Sequence, residues 1–305
     1  MAHAVLKVNQ STIQQMKNTY QSAILPSTPP HAHFAAKISG CTITAYQSGK
    51  VVFQGNEAEK EASRWGNPGS NDKKKKTKTN RSLPTFLKDS HMGSDEAGTG
   101  DYFGPITVAC VFATSEQQEL LRELGVRDSK TLTDDAIRSV MKDVLLTDIT
   151  YSSVVLDNPR YNQLKAKGWS QVKMKAWMHH HAIKNVRNKL GEQSFEGTVV
   201  DQFCEPATFH KAVRETGEQS FDDLTFMTKA ESYSTPVAAA SMLARYRFLQ
   251  EIDRISENVG FSIQKGASNI VDRQIARLIK QKGESSLNEI AKTHFANTQK
   301  AKKLL

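Results

Sequence analysis

The sequence GSDEAGTGDYFGP, residues 93–105, joins two adjacent carboxylates to a glycine loop and leads directly into the apolar run ITVACVF, residues 106–112. The apolar run is rich in β-branched residues, which is typical of a buried strand. The carboxylates Asp95 and Glu96 and the loop behind them are therefore predicted to lie at the edge of a sheet. Neighbouring acids that open a glycine loop indicate a metal and phosphate site.

Length and charge bound the possible classes of protein. With 305 residues the chain exceeds the usual size of one domain, so we expect two domains, the larger of which can bury a full core. The net charge of +9 favours an anionic partner. Composition alone does not separate nucleic acid from a membrane surface, and nucleic acid is our preferred interpretation.

The cysteines and the apolar segments favour a cytoplasmic protein. Cys41, Cys110 and Cys204 are isolated in sequence and lack the CxxC spacing of zinc or redox sites, so we expect them to be reduced and structural. No stretch approaches the roughly 20 apolar residues of a membrane span, and the N-terminus lacks the pattern of a signal peptide. We therefore expect a cytoplasmic protein without a membrane partner.

A Lys-rich segment is predicted to separate the two domains. Residues 67–84 lose hydrophobic periodicity and combine Gly, Pro, Ser and Asn with the lysine run 73–76, which is typical of a linker. The lysines form either a solvated, self-repelling tether or an electrostatic hold on a phosphate backbone, and the two interpretations are compatible. The predicted domains are residues 1–66 and residues 85–305.

The N-terminal part has the pattern of a small α+β domain. A short strand precedes a helix over residues 11–21, for which Ser11 or Thr12 is the predicted cap. Three short strands then follow, and a closing helix is predicted to start at Asn56. This order leaves one face of the sheet uncovered, and such a face can serve as a flat binding platform.

The larger part alternates strands with helices, which favours an α/β core. Helices are predicted over residues 128–146, over residues 172–190 and from about Pro236. The strand TVVDQF, residues 198–203, lies between the last two of these helices, and the tail from Gly266 onward is helical and basic in pattern.

Two further acids lie at positions where they can contribute to a catalytic centre. Asp201 closes an apolar strand, where a carboxylate is costly to bury unless it binds a cation or a donor. Glu231 precedes a helix that opens with small residues able to pack closely against a sheet. Any one of these acids could alone be a cap or a surface charge. Four carboxylates together suit Mg²⁺ or Mn²⁺, and two such ions can support hydrolysis of a phosphodiester.

Several motifs in the same order closely resemble the type 2 ribonuclease H family. They are DEAGTGDYFGP, the DSK at residues 128–130, the strand-end Asp201, and AES followed by AAASMLAR. The added N-terminal domain and the GDYFGP motif are similar to the ribonuclease HIII branch, whose small domain is like the TATA-binding protein. The resemblance covers the chain from about Leu83 onward. It implies a ribonuclease H-like α/β fold with a central mixed sheet and flanking helices.

The resemblance also implies an activity, namely endonucleolytic cleavage of the RNA strand of an RNA/DNA hybrid that leaves 3′-hydroxyl and 5′-phosphate ends. Two divalent ions, Mg²⁺ or Mn²⁺, are the implied cofactors. The matching metal-binding and catalytic acids are Asp95, Glu96, Asp201 and Glu231, and the matching substrate-contacting residues are Gly98, Thr99, Gly100 and Lys130. The glycine element of the family reads 2′-hydroxyl groups through its backbone, which glycine allows to approach closely.

Two of these positions carry further information. Glu231 stands where the related ribonuclease HII branch usually has aspartate, and Thr99 stands where relatives often carry Arg or Lys. One cationic contact is therefore absent, and the assignment of Thr99 to substrate depends on backbone atoms alone. Lys130 is implied as a phosphate or active-site contact, although a lone lysine is also typical of a solvated charge.

Two other functions stay open from sequence alone. One is incision at single ribonucleotides embedded in DNA, as in ribonuclease HII, which Glu231 and the N-terminal domain disfavour. The other is a non-catalytic nucleic-acid-binding protein, which the intact set of carboxylates disfavours. We expect a monomer. The histidines 179–181 are predicted to be structural or surface residues, and Tyr102 and Phe103 either stack on a base or sugar or pack beneath the loop.

Overall fold

A computed structural model of the chain describes residues 3–29, 32–66 and 83–305. The chain divides into two units, Met1–Ser82 and Leu83–Leu305. The predicted linker, with its lysine run, falls almost entirely outside the described residues, so that prediction stays untested.

The N-terminal unit is a four-stranded antiparallel sheet with two helices, which confirms the predicted small α+β domain. Its elements are β1 (His3–Lys7), α1 (Gln10–Thr19), β2 (Ala32–Ile38), β3 (Cys41–Tyr46), β4 (Lys50–Gln54) and α2 (Ala58–Ser63). The strands are ordered β1-β4-β3-β2. The core of the unit gathers apolar residues of the sheet and of both helices, among them Met16, Phe34, Ile43 and Phe53.

The starts of both N-terminal helices differ from the prediction. Asn9 caps α1, because its side-chain oxygen accepts a hydrogen bond from Thr12 N at 2.8 Å, so neither Ser11 nor Thr12 is the cap. Asn56 does not start α2. A turn closed by the bond from Ala58 N to the Gly55 carbonyl at 3.2 Å comes first, and the helix begins only after it.

The larger unit is built on a five-stranded mixed sheet, which confirms the predicted ribonuclease H-like class of fold. Its strands are β5 (His91–Ala97), β6 (Ile106–Ala113), β7 (Thr150–Leu156), β8 (Thr198–Asp201) and β9 (Leu224–Met227). The order is β7-β6-β5-β8-β9, and β5 pairs antiparallel with β6 but parallel with β8. Its helices are α3 (Ser115–Glu123), α4 (Asp134–Val144), α5 (Asn158–Ala166), α6 (Gln171–Leu190), α7 (Pro206–Arg214), α8 (Thr235–Val259), α9 (Asn269–Lys282), α10 (Leu287–Ile290) and α11 (Ala296–Lys302).

The sheet lies between two layers of helices. Alternate residues of β6 face opposite layers, as the period of a strand requires. Val108, Cys110 and Phe112 pack on the layer of α6, whereas Ala109, Val111 and Ala113 pack on the layer of α8.

Helix α8 approaches β5 as closely as a backbone permits. A Cβ atom at Gly93 would lie 2.2 Å from the backbone nitrogen of Val237, so only glycine fits there. The small residues at the start of α8 therefore pack on the sheet as predicted, beside the strand that carries Asp95.

Several helical boundaries in the larger unit were not predicted correctly. The segment 128–146 is not helical throughout: Ser129–Thr131 is a 3-10 turn, and α4 starts only after Thr133, which accepts a hydrogen bond from Ala136 N at 3.2 Å. Helices α3, α5 and α7 were not predicted at all.

The cysteines, the two aromatic residues of the loop and the apolar helices were each the subject of a prediction. Cys41, Cys110 and Cys204 are all free thiols. Tyr102 and Phe103 are fully buried and pack beneath the loop, so they do not stack on a substrate. In the described part of the chain no helix has the length and apolar character needed to cross a membrane.

Candidate active site

A cavity of about 470 Å³ lies where β5 ends and the glycine loop begins. All but one of the predicted site residues line it, namely Asp95, Glu96, Gly98, Thr99, Gly100, Lys130 and Asp201. The exception, Glu231, is 95% buried and connects to the cavity through Lys130, whose Nζ lies 2.7 Å from Glu231 Oε1. The structure therefore brings the predicted acids, the loop and the lysine into one place.

The register of the parallel strands explains why acids from distant parts of the sequence meet. Ser94 of β5 pairs with Val200 of β8, so the following residues, Asp95 and Asp201, leave neighbouring strands at the same level. Successive strand residues point to opposite faces of a sheet. Asp95 accordingly lies beside Ser241 of α8, whereas Glu96 turns toward α6.

Two residues of α6 hold Glu96. Lys175 Nζ donates to Glu96 Oε1 at 2.5 Å, and His179 Nε2 lies 2.9 Å from Glu96 Oε2. The other nitrogen of His179 lies 2.7 Å from Ser94 Oγ, and its ring stacks on Phe203. Burial raises the pKa of Glu96, but His179 and Lys175 outweigh burial, so the net pKa is lowered and the carboxylate is favoured.

Sequence reasoning missed both partners of Glu96. His179 was predicted to be structural or at the surface; its side chain is fully buried, and the prediction did not include its contact with a site carboxylate. The neighbouring His180 and His181 both lie near Glu218 instead, so the three histidines do not face one common site, as expected. The usable signal was the spacing of four residues between Lys175 and His179, which puts them on one helix face.

The other acids repel one another. Burial first, and then the charges of Glu96 and Asp201, raise the pKa of Asp95 well above its usual range. Burial, and then Glu231 and Glu96, raise the pKa of Asp201, although the hydrogen bond from Ala230 N at 2.9 Å opposes this shift. A cluster of this kind favours binding of a cation, because a cation relieves the repulsion.

The donor set fits a hard divalent cation that keeps part of its own hydration. The Oε2 atom of Glu231 is buried without a hydrogen-bond partner, so one carboxylate oxygen is free to accept a ligand. Within the described ranges, no three acid, histidine or cysteine side chains already converge as a complete metal cage. Mg²⁺ commonly binds through one or two carboxylates, with water and substrate phosphate completing the shell.

A strained backbone turn directly precedes Glu231. Lys229 has a left-handed backbone with φ of 58°, which costs free energy for a residue with a side chain. The turn is held because Asp201 accepts the hydrogen bond from Ala230 N. The hydrogen bond from Lys130 to Glu231 raises the pKa of Lys130, which keeps its side chain charged.

The two glycines of the loop, Gly98 and Gly100, differ in their surroundings. Gly98 has φ of +85°, and a Cβ there would lie 2.3 Å from the carbonyl oxygen of Pro105, so the loop closes only with glycine. Gly100 has no atom within 4 Å of an added Cβ and faces open space. Among the described residues, the backbone N–H groups of Thr99 and Gly100 have no hydrogen-bond acceptor. The loop thus presents two free donors at the cavity.

The repulsion among the acids predicts a gain of stability when one is neutralised. In metal-free protein at pH 8, Asp95→Asn is expected to raise the melting temperature by roughly 2–4 °C. A carboxyl whose pKa is raised by folding stabilises the protein fully below its unfolded pKa of about 3.9, and this contribution is lost as the pH rises through the folded pKa. The gain should therefore be largest at pH 8 and vanish near pH 4.

Thermal melts in EDTA at pH 4, 6 and 8 measure this difference. The asparagine oxygen can keep the bond that Glu96 N donates to Asp95 Oδ1 at 2.7 Å, so the substitution mainly changes charge. A gain that is larger at pH 4 than at pH 8 would contradict the electrostatic explanation.

Comparison with known families gives matches in both parts of the chain. The family model described as Ribonuclease HII matches residues 92–298. A second model, described as a domain of unknown function, matches residues 3–78. The first match contains all of the predicted site residues.

Individual relatives match over their whole length. Ribonuclease HIII of Oceanobacillus iheyensis is 51% identical over 309 residues, covering 100% of this chain and 100% of the relative. Ribonuclease HIII of Bacillus subtilis is 46% identical over 310 residues, covering 100% of this chain and 98% of the relative.

Solved structures agree with these similarities. The crystal structure of Bst-RNase HIII in complex with Mn²⁺ matches this chain with 35% sequence identity and a TM-score of 0.70. The match covers 99% of this chain and 99% of that chain. Ribonuclease H2 from Pyrococcus horikoshii OT3 is 20% identical, with a TM-score of 0.58. This match covers 70% of this chain and 98% of that chain, and it shows a shared fold.

Proposed function

The chain belongs to the ribonuclease HIII branch of the type 2 ribonuclease H family, and from this premise we propose that it cleaves the RNA strand of RNA/DNA hybrids. One observation carries the proposal. Carboxylates from β5 and β8 and a glycine loop with free backbone donors line the same cavity.

In this proposal four carboxylates would hold the metal ions, namely Asp95, Glu96, Asp201 and Glu231. When bound, two Mg²⁺ or Mn²⁺ ions would activate a water molecule and stabilise the leaving oxygen of the phosphodiester. Departure of the ribose 3′-oxygen leaves 3′-hydroxyl and 5′-phosphate ends.

The protein's own groups orient these ligands. Lys175 and His179 fix both oxygens of Glu96, and the Ala230 N–H fixes one oxygen of Asp201. Lys130 has a side chain that is 71% exposed, so its ammonium group can contact a substrate phosphate while it stays close to Glu231.

The loop accounts for the choice of the RNA strand. A ribose 2′-hydroxyl is the group that distinguishes RNA from DNA, and it can accept a hydrogen bond from a backbone N–H. Thr99 and Gly100, whose N–H groups have no acceptor among the described residues, line the cavity of the acids. Such reading needs no contact with the bases, so cleavage should show little sequence preference.

Thr99 supplies only backbone to this contact. Its hydroxyl oxygen is buried without a hydrogen-bond partner, and its carbonyl accepts a bond from Gln171 Nε2 at 3.4 Å. The threonine side chain therefore offers the substrate no cationic group, in line with the absence of an Arg or Lys at this position.

The N-terminal unit is proposed to bind the hybrid. Its helices cover one face of the sheet, where Leu6 and Phe53 are buried. On the other face, Val5 is 38% exposed and Lys7 and Gln54 are exposed. A polar, partly basic sheet face of this kind fits contact with a nucleic-acid backbone.

The activity is tested with two end-labelled substrates, an RNA/DNA hybrid and a DNA duplex that contains one ribonucleotide. In Mg²⁺ or Mn²⁺ we expect multiple cuts in the RNA strand of the hybrid and an intact single-ribonucleotide duplex. Incision of both duplexes would favour the activity of ribonuclease HII. Tight binding without cleavage in either metal would favour a non-catalytic binding protein.

A further inference from the structure

A fully buried lysine lies behind the glycine loop, outside the set of residues assigned above. Lys292, between α10 and α11, has 0% of its surface exposed. Its Nζ donates hydrogen bonds to the carbonyl oxygens of Asp101 at 2.9 Å, Gly104 at 2.5 Å and Pro105 at 3.3 Å. An ammonium group has three N–H donors, so these three carbonyls satisfy it completely.

The three carbonyls belong to the returning half of the loop. The Pro105 carbonyl is the one that lies only 2.3 Å from a Cβ built at Gly98, so it determines how close the two halves of the loop can come. Lys292 therefore contacts the carbonyl oxygen against which Gly98, the first residue of the Gly98–Gly100 element, is packed.

The C-terminal segment holds the same half of the loop by its backbone. Tyr102 N donates to the Gly266 carbonyl and Lys292 N donates to the Tyr102 carbonyl, both at 2.9 Å. Gly104 N donates to the Ile290 carbonyl at 2.9 Å. Lys292 is thus the charged centre of a set of contacts that fixes the loop from behind.

Burying this ammonium is costly, and a simple packing role does not require it. A charged group loses its hydration when it is buried, and an apolar side chain of the same length would fill the space without that cost. Burial lowers the pKa of Lys292 to about 7, and the negative charge of Asp101 opposes this shift only in part. What an apolar side chain lacks is the ability to bring three carbonyl oxygens together.

We propose that Lys292 is a positioning residue for substrate discrimination. By drawing together the carbonyls of Asp101, Gly104 and Pro105, it sets the place of the Thr99 and Gly100 N–H groups relative to the ribose 2′-hydroxyls. This inference rests on the proposed function, since it assigns a support to the loop that reads the RNA strand. Lys292 itself touches neither the substrate nor the acids.

The test compares two substrates in each of three proteins. One substrate is an RNA/DNA hybrid, and the other carries a single 2′-deoxynucleotide beside the dominant cut. Lys292→Met keeps the length of the side chain and removes its donors. Leu121→Ala, at a buried core position of α3, is the control for lost stability without a change behind the loop.

In the wild-type protein, loss of one 2′-hydroxyl contact is expected to lower kcat/KM by roughly tenfold. In Lys292→Met this penalty should fall to within about twofold, because a misplaced loop gains little from the hydroxyl, whereas Leu121→Ala should keep the full penalty. A penalty retained in full by Lys292→Met would overturn the role of Lys292. A wild-type protein that cleaves the substrate with the single 2′-deoxynucleotide as fast as the hybrid would instead contradict reading of the RNA strand by the loop.

Two further measurements guard against a trivial loss of folding. Hydrogen exchange of the Tyr102 and Gly104 amides, which are hydrogen-bonded to the C-terminal segment, should become faster in Lys292→Met and stay unchanged in Leu121→Ala. Unchanged exchange in this loop would also overturn the proposal. Asn158→Ala removes another buried donor, which bonds the Gly104 carbonyl at 2.9 Å. This variant should also reduce the penalty for the 2′-deoxy substrate, but by less than Lys292→Met does.

Discussion

Asp95→Asn is expected to lower kcat for cleavage of the hybrid by roughly 10³-fold or more, the scale seen when a catalytic side chain is removed. The amide keeps the size of the carboxyl but loses the negative charge that would bind a divalent ion. Steady-state kinetics with a labelled hybrid measure the effect. Raising the concentration of Mg²⁺ should not restore the rate, because the ligand itself has changed.

The same substitution separates a catalytic role from a structural one. In metal-free protein Asp95→Asn should melt at a higher temperature, so loss of activity cannot be attributed to unfolding. The matched control is Asp143→Asn, an exposed acid of α4, which should keep both rate and stability. An Asp95→Asn protein that is as active as Asp143→Asn would remove Asp95 from the site.

The sheet and its acids were predictable because the relevant signals are local. Apolar runs that end in a carboxylate, such as the one before Asp201, combine a strand pattern with a group that is costly to bury. Both signals can be read from consecutive residues, without knowing which other elements pack against the strand. These local signals predicted the α/β core and singled out the acids, whereas the mixed sheet and the roles of the loop and of Lys130 were implied by the resemblance to the type 2 ribonuclease H family.

The supporting residues were not predictable because their roles depend on distant partners. Lys175 contacts a carboxylate that lies 79 positions away in sequence, and Lys292 contacts carbonyls almost 190 positions away. A lysine within a basic tail is ordinarily solvated, and only the tertiary fold shows that Lys292 is buried. Helix α5 escaped prediction for a different reason, since its apolar residues do not form a stripe along one face.

Deleting residues 1–82 is expected to raise KM for the hybrid by roughly 100-fold and to change kcat by less than about threefold. The cut follows the boundary between the two compact units, and all of the proposed catalytic acids stay in the remaining chain. If the N-terminal unit supplies phosphate contacts, the slope of log kcat/KM against log salt should also become shallower. Kinetics at several salt concentrations measure both effects.

A second variant decides which part of the deleted segment carries the affinity. Replacing the lysine run 73–76 by glutamine in the full-length chain removes the charge of the tether and leaves residues 1–66 intact. If the sheet face binds the hybrid, this variant should keep most of the affinity; if the tether does, KM should rise nearly as far as in the deletion. A deletion that lowers kcat strongly at unchanged KM would contradict both accounts, because loss of binding that is equal in the ground state and the transition state raises KM and leaves kcat unchanged.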